Sequence, residues 1–227
     1  VHPGGGLWYS MKITKVEPQK RNLHRFNIFL DGEFAFGADE DLVVNRRLVV
    51  GKEIQGEDLE KILFETEVGK LMEKMYRLFS IRMRSEKEIR DYFRIKNLEL
   101  RIKGKEAISS YIVDAAVQQM KKKGLLNDEE FTKAWMEARS KKYGVNRIKQ
   151  ELFQKGINRE TVEEVVRLQA TGYSEENVAE KALEKKMKAW KNIPEMEMKK
   201  KATEYLLRRG FEYFTAKLTI EKVLSKE

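Results

Sequence analysis

The sequence contains no cysteine, so it can form neither a disulfide bond nor a thiolate metal site. This absence is typical of proteins in the reducing cytoplasm, where we expect the chain to act. Histidine occurs only as His2 and His24, and no His/Glu spacing suits a metal site. With three prolines and no Gly/Ser tract, the sequence predicts no flexible interdomain linker.

Signatures of nucleotide-binding enzymes and of membrane proteins are also missing. No Gly-x-x-x-x-Gly-Lys-Ser/Thr loop is present to hold nucleotide phosphates. No apolar run approaches the ~18 residues needed to span a bilayer. Residues 1–10 lack the apolar region of a signal peptide, and we interpret them as a flexible extension before Met11. We therefore expect no catalytic residues, no cofactor, no metal and no membrane partner.

Charge is abundant and unevenly distributed. Charged residues make up 37% of the chain, and the net charge is +9. Residues 82–105 hold nine Lys/Arg against four Asp/Glu, and residues 181–209 hold ten against four. Clustering of this kind favours nucleic acid or an acidic protein surface as partner, although any single charge is also explained as part of a solvated helix face.

The N-terminal part of the sequence predicts a small β-element. Asp31-Gly32 separates two apolar, aromatic-rich runs, which is a strong hairpin signal because a type I′ turn needs positive φ at both central residues. Residues 12–16 alternate in polarity and predict a third strand, which we expect Pro18 to end. A short helix is predicted from Asp39 to Asn45.

From Glu57 onward the apolar residues follow a helical period, and one three-helix pattern occurs three times. Asn97, Gly156 and Gly210, which we expect to end the second helix of each module, lie 59 and then 54 residues apart. The predicted fold is mainly α: nine principal helices in three tandem modules, in an extended arrangement. The predicted segments are 1–10 (extension), 11–55 (β-rich element with a short helix), 56–124, 125–173 and 174–227 (modules one to three).

Local signals set the expected helix ends and apolar faces. Ser85 and Glu88 form a capping box, in which each side chain bonds the other residue's amide. Asp128 is the predicted cap of the first helix of module two. Phe214 and Leu218 are expected in the last buried stripe.

Two groups of cations are candidate binding residues. The first lies at helix ends or module junctions, where each cation either neutralises a helix terminus or carboxylate, or contacts a partner directly. The candidate partner-binding residues are Arg84, Arg139, Lys142, Arg147 and Lys155. The candidate cluster for DNA or filament binding is Lys199, Lys200, Lys201, Arg208 and Arg209.

The middle module carries the most specific pattern in the chain. It reads Leu126-x-Asp128-x-x-Phe131-x-x-x-Trp135-x-x-x-Arg139, then Tyr143-Gly144-x-x-Arg147-Ile148-x-x-Glu151-Leu152-x-x-Lys155-Gly156-Ile157. This string resembles the signature of the RecX family, and weaker likeness covers nearly all of residues 11–225. One departure is Asn97, where the family pattern has Gly; Asn also tolerates the left-handed conformation.

The resemblance implies a regulator without enzymatic activity that binds the RecA recombinase, chiefly as its filament on single-stranded DNA. It implies lower RecA ATPase activity, less strand exchange and limited filament growth. We expect a monomer with weak direct DNA binding. The competing hypothesis is a sequence-independent DNA-binding protein that acts without RecA, which the net charge supports. A sequence-specific DNA-binding protein is disfavoured because none of the second helices is rich in base-reading Asn, Gln or Arg at its N-terminus.

Overall fold

The computed structural model describes residues 10–20, 22–169, 174–190 and 193–225. Over these ranges the chain is mostly helical with a four-stranded antiparallel sheet near its N-terminal end, which confirms the predicted fold class. The strands are β1 (Ser10–Gln19), β2 (Asn22–Leu30), β3 (Glu33–Asp39) and β4 (Glu53–Gln55). The helices are α1 (Glu40–Asn45), α2 (Gly56–Ile81), α3 (Glu86–Ile102), α4 (Ser110–Lys122), α5 (Asp128–Ser140), α6 (Val145–Gln154), α7 (Arg159–Gln169), α8 (Glu175–Met187), α9 (Glu195–Arg208) and α10 (Tyr213–Leu224).

The chain divides into two compact units. The first comprises the chain up to Arg82 together with Phe93–Leu125, and the second comprises Met83–Tyr92 and the chain from Leu126 onward. Helix α3 therefore contributes its first turns to the second unit and its later turns to the first. The extension predicted for residues 1–10 lies outside the described residues except for Ser10, which already pairs with Gln55.

The sheet of the first unit has the strand order β3-β2-β1-β4. The predicted hairpin turn is confirmed, because Asp31 and Gly32 have φ values of 49° and 91°. The expectation that Pro18 ends the first strand is wrong: Pro18 lies within β1 opposite Phe26, next to an irregularity in the pairing. One face of the sheet packs on α1 and α2 through a core of Ile13, Ile28, Leu30, Phe36, Ala38, Leu42, Leu48, Ile54 and Ile62.

A buried arginine fastens the sheet to α2. Arg25 is 8% exposed, and its guanidinium donates to Glu73 Oε1 at 2.6 Å and to the Gly37 carbonyl at 3.0 Å. A cation removed from water in this way is tolerated because it has a carboxylate and a carbonyl as partners. The pair holds α2 against β2 and β3.

The prediction that Asn97 ends α3 is wrong, and Asn97 is not left-handed. The helix continues to Ile102 and stops at Gly104, whose φ is +64°. The amides of Gly104 and Lys105 donate to the carbonyls of Arg101 and Leu100, which is the hydrogen-bond pattern of a glycine-terminated helix. In the second unit, α6 and α9 do end at Gly156 and Gly210 as predicted, and both glycines are left-handed, with φ values of 82° and 86°.

Modules two and three each have a separate apolar core within the second unit. The core of module two is Phe131, Met136, Ile148, Leu152, Ile157, Val162 and Val165. The core of module three is Ala179, Leu183, Met187, Ala202, Leu206, Phe211, Ala216, Ile220 and Val223. Phe214 and Leu218 were expected in this last stripe but are 68% and 40% exposed, because the buried face of α10 follows Ala216, Ile220 and Val223.

Candidate partner-binding surface

Glu151 lies at the centre of a polar cluster in module two. Its carboxylate accepts two hydrogen bonds from Arg139, one from Nε at 2.8 Å and one from Nη2 at 2.5 Å. Trp135 Nε1 donates to Glu151 Oε2 at 3.1 Å, and Arg147 Nε donates to Oε1 at 3.3 Å. Both carboxylate oxygens are thus satisfied by side chains, which a half-buried charge requires.

Helical spacing explains how four separate residues meet. Trp135 and Arg139 are four residues apart on α5, and Arg147 and Glu151 are four apart on α6. Side chains at that spacing lie one above the other on the same helix face. Packing α5 on α6 then brings the two pairs together.

The cluster also shifts the pKa of its members. Burial alone would raise the pKa of the Glu151 carboxyl, but hydrogen bonds from Arg139, Arg147 and Trp135 outweigh burial and hold it below the ordinary value of 4.5. The same contact raises the pKa of Arg139. Both groups are therefore charged across the physiological pH range.

Cations and aromatic rings alternate around this cluster. Lys155 Nζ lies 4.3 Å from the centre of the Trp135 ring, and Arg139 lies 4.2 Å from the centre of the Tyr143 ring. Arg147 lies 4.5 Å from the same Tyr143 ring. Cation–π contacts at these distances add to the ion pairs and restrict the long cationic side chains.

The start of α3 is joined to the end of α6. Ser85 Oγ donates to the carbonyl of Lys155 at 2.7 Å, and Lys87 Nζ donates to the carbonyl of Gln154 at 2.7 Å. Lys155 Nζ in turn pairs with Glu88 Oε1 at 2.7 Å. These bonds satisfy carbonyls that a helix leaves without partners at its C-terminus.

The predicted capping box is present at this joint and does more than cap α3. Ser85 and Glu88 bond each other's amides at 3.3 Å, as predicted. The prediction that Asp128 caps α5 is wrong. The Asn127 side chain caps the helix instead and accepts from the amides of Glu129 and Glu130. The Asp128 carboxylate accepts from the Glu86 amide at 3.0 Å, so it contributes to the joint.

The start of α6 is joined to the end of α9 through the backbone. The Gly144 amide donates to the Arg209 carbonyl at 2.9 Å, and the Asn146 amide donates to the Gly210 carbonyl at 3.2 Å. A Cβ built on Gly144 would lie 2.3 Å from the Gly210 oxygen. Only glycine at position 144 allows the two backbones to approach this closely.

Side chains reinforce this second joint. Arg147 Nη1 donates to the Arg208 carbonyl at 3.2 Å, and Arg209 Nη1 donates to the Lys142 carbonyl at 3.0 Å. The Arg209 guanidinium lies 4.8 Å from the centre of the Tyr205 ring. The amide of Val145 donates to Glu175, whose pKa is raised by burial.

The two joints occupy equivalent positions in the repeat, although side chains form the first and main-chain groups form most of the second. In each, the start of one module's second helix meets the glycine-terminated end of the next module's second helix. A Cβ on Gly156 would lie 2.6 Å from Lys87 Cβ, and one on Gly210 would lie 2.3 Å from Arg147 Cβ. The repeat therefore includes the connection between modules as well as the modules themselves.

The surface of module two beside the first joint forms an open groove of about 380 Å³. Half-buried Trp135 lies in its wall, with Lys155 and Arg139 on either side. The groove is lined by Lys87, Glu88, Asp91, Trp135, Arg139, Glu151, Gln154 and Lys155. Three cations and three carboxylates line the groove, and Arg139 and Lys155 are already paired with Glu151 and Glu88. The half-buried indole is therefore the part of this surface that suits an apolar group of a protein partner.

The structure places the five candidate partner-binding residues in different roles. Arg139, Arg147 and Lys155 form the internal network of ion pairs and ring contacts described above. Arg84 is half-buried just before α3. Lys142 is exposed, and over the described ranges its ammonium group makes no ion pair, although its carbonyl accepts from Arg209.

The candidate basic cluster on α9 is not a single face. Lys199 pairs with Glu195 at 2.6 Å and Lys201 pairs with Glu197 at 2.9 Å, each one helical turn away. Arg209 is occupied at the second joint. Lys200 and Arg208 are exposed, and the helical repeat of about 100° per residue points the five cations in several directions.

Sequence reasoning did not identify Glu151 as the centre of the cluster or Tyr143 as the ring between two arginines. The available signal was the four-residue spacing of Trp135 with Arg139 and of Arg147 with Glu151. Over the described residues, no group of three or more His, Cys, Asp or Glu could hold a metal ion. None of the described helices combines the length and apolar character needed to cross a membrane.

Tandem three-helix modules with cationic joints define a helical repeat protein whose distinctive chemistry lies on charged surfaces. Three family profiles match the chain: the regulatory protein RecX N-terminal domain at residues 11–55, the second three-helix domain of RecX at 127–166 and the third at 174–217. The chain belongs to the RecX family of regulatory proteins.

Individual relatives agree with this assignment. The chain is 30% identical to regulatory protein RecX of Clostridium beijerinckii, over 94% of this chain and 96% of the relative. It is 31% identical to regulatory protein RecX of Bacillus subtilis, over 93% and 76% of the two chains. A crystal structure of regulatory protein RecX aligns with a TM-score of 0.71 at 23% identity, covering 93% of this chain and 99% of the other, and supports the fold.

Proposed function

We propose that the chain regulates the RecA recombinase by binding it, chiefly as the filament on single-stranded DNA, without catalysing a reaction of its own. Binding lowers RecA ATP hydrolysis and strand exchange and limits filament growth, in the cytoplasm and with the regulator as a monomer. Family membership supports the regulatory role, and the grooved, cation-flanked surface around Trp135 is the observation that carries the partner contact.

The repeated joint supports binding to a filament in particular. A filament presents identical sites at a fixed spacing, and the joint between modules two and three, through hydrogen bonds from Gly144 and Asn146, holds their surfaces at a set spacing as well. Weak contacts made by linked modules then add through effective concentration. A single deep pocket is not needed for this kind of affinity.

We expect substoichiometric amounts of the protein to inhibit RecA ATPase activity on single-stranded DNA. Lys142→Glu is expected to weaken inhibition several-fold without changing the melting temperature, because its exposed ammonium group makes no ion pair within the described residues. Titrating both proteins into a steady-state ATPase assay measures this. Unchanged ATPase and strand exchange at an excess of wild-type protein would reject the proposed function.

The matched control is Lys141→Glu. Lys141 is the exposed neighbour of Lys142 in the turn after α5, and its reversal changes the net charge equally. Equal loss of inhibition in both variants would indicate a general electrostatic effect. In that case Lys142 is not a specific contact.

A second proposal, direct but weak binding to single-stranded DNA, is supported by the exposed cations of α9. Each neutralised phosphate changes the slope of log affinity against log salt by roughly −0.7, so three contacts give about −2. Reversal of Lys199, Lys200 and Arg208 to Glu is expected to flatten that slope in fluorescence anisotropy titrations without RecA. Arg209 is left unchanged because it holds the second joint.

Reversal of Lys122, Lys141 and Lys217 serves as the control for DNA binding, because these lysines are exposed and lie outside the two basic stretches. The change in net charge is the same in both triple variants. If the control flattens the slope equally, α9 makes no specific contribution. Intact RecA inhibition by the α9 variant would separate DNA binding from regulation.

A further inference from the structure

Helix α3 is longer than its counterparts in the other modules. It contains 17 residues, whereas α6 contains 10 and α9 contains 14. The last two end one residue short of the glycines that form the joints, whereas α3 continues for five residues past Asn97, to Ile102. This additional segment is not needed for the repeated joint, so its side chains need another explanation.

The Asn97 side chain keeps one side of α3 covered. Its Nδ2 donates to the Ile108 carbonyl and its Oδ1 accepts from the Ile108 amide, both at 2.8 Å. The loop before α4 is therefore fixed against this side of α3. Phe93, one turn earlier and close to Asn97 in angular position, is 1% exposed.

The opposite side of α3 carries an uncovered apolar stripe. Ile95, Leu98 and Ile102 are 52%, 49% and 86% exposed. Their spacing of three and then four residues places them on one helix face. Scattered exposed aliphatic residues are common, but three in a row along one face usually mark an interaction surface.

Arginines border the stripe on one flank. Arg94 and Arg101 are seven residues apart, and both are exposed on the side adjoining Leu98. On the other flank, Glu99 pairs with Lys96 at 2.7 Å. The stretch from 82 to 105 carries nine Lys/Arg against four Asp/Glu, so the surroundings of the stripe are basic.

The chemistry of this face distinguishes a protein partner from nucleic acid. Aliphatic side chains gain nothing from phosphate groups, and single strands are bound by aromatic stacking together with cations. Aliphatic residues beside arginine are typical of the centre of protein interfaces. A complementary surface would have an apolar centre with carboxylates opposite Arg94 and Arg101.

We propose that this α3 face, formed by Ile95, Leu98 and Ile102 with Arg94 and Arg101, docks on an apolar, acid-bordered surface of a RecA protomer in the filament. The inference rests on the proposed function and adds a contact site in the first unit to the groove of module two. The contact spans the last turn before Asn97 and the five residues by which α3 exceeds the repeat.

The test compares two polar variants with one control. Changing Ile95, Leu98 and Ile102 to Gln keeps helix propensity and charge while removing the apolar stripe. Met196→Gln is the matched control, because Met196 is also 86% exposed on a helix of the same chain. Arg101→Glu tests the charged flank.

We expect the triple variant to bind the RecA filament on single-stranded DNA about tenfold more weakly or worse, and to inhibit ATPase activity correspondingly less. Arg101→Glu is expected to weaken binding with a reduced dependence on salt, and Met196→Gln is expected to behave as wild type. Circular dichroism checks folding; if the triple variant has lost helix, Ile102→Gln alone replaces it, since that side chain is almost fully exposed.

Each alternative occupant gives a different result. Equal filament binding by wild type, the triple variant and Arg101→Glu overturns the inference and leaves the proposed function standing. Loss of affinity for single-stranded DNA without RecA would assign the face to nucleic acid. A wild-type dimer in light scattering that the triple variant converts to monomer would assign it to a second copy of the chain. No binding or inhibition by wild type overturns both proposals.

Discussion

Replacing Gly210 with alanine is expected to destabilise the second unit by about 3 kcal/mol, because two costs act together. Gly210 has φ +86°, a conformation that an L side chain rarely adopts. The new Cβ would also lie 2.3 Å from Arg147 Cβ and 2.4 Å from the Arg147 amide nitrogen. The start of α6 cannot move away without breaking the hydrogen bond from Asn146 to the Gly210 carbonyl.

Urea denaturation followed by circular dichroism measures the loss. Gly104→Ala is the matched control, since Gly104 also has positive φ, at +64°, but no atom lies within 4 Å of its added Cβ. The control therefore has only the conformational cost, about 1–2 kcal/mol. If both variants lose the same stability, the close approach of α6 to Gly210 contributes nothing.

The second large effect is expected from Glu151→Gln, with a loss of about 3 kcal/mol at neutral pH. The substitution keeps the shape of the side chain but removes the charge that faces Arg139 and Arg147. An amide also turns a donor group toward cations that have only donors. Thermal and urea unfolding of the variant and the wild type measure the difference.

The pH dependence of this difference has a definite sign. Because the folded pKa of Glu151 is below the ordinary 4.5, its contribution is complete above that value and is lost as pH falls through the folded value. The stabilities of the wild type and Glu151→Gln should therefore converge below about pH 4.5. A constant difference through the acid range would contradict the assigned network.

Glu163→Gln is the control within the same module. Glu163 pairs with Lys149 at 2.6 Å, but its carboxylate is 46% exposed and the pair is open to solvent. Exposed ion pairs contribute little to stability. We expect this variant to unfold almost as the wild type does at neutral pH.

Features with strong local chemistry were predictable from the sequence. The Asp31-Gly32 turn, the Ser85/Glu88 capping box and the helix ends at Gly156 and Gly210 are all as predicted. In each case a few adjacent residues determine the backbone conformation, so the signal does not depend on the rest of the fold.

The incorrect predictions concern segments whose conformation depends on contacts with residues far away in the sequence. Asn97 has the sequence position of a helix end, but its amide bonds the loop at Ile108 and the stop signal is supplied later by Gly104. Strand β4 is only three residues long and is defined by its pairing with β1. Most of the α3 face was missed for the same reason, since Leu98, Arg101 and Ile102 lie beyond the residue at which the helix was expected to end.

The role of the candidate cations depended on long-range contacts too. Arg139 and Arg147 were predicted as residues that either neutralise a carboxylate or contact a partner. Their carboxylate, Glu151, is 12 residues away from Arg139 in the sequence. The choice between the two roles needed the packing of α5 on α6, which sequence spacing alone does not supply.

The joint between modules two and three has a consequence for how such chains can diverge. Its closest contacts are between main-chain atoms at Gly144, Arg209 and Gly210. Main-chain groups are the same whatever side chains surround them, so only the two glycines are strictly constrained there. The outward surfaces of modules two and three are then free to change independently, and a lineage can alter what each of them recognises while the two stay connected in the same way.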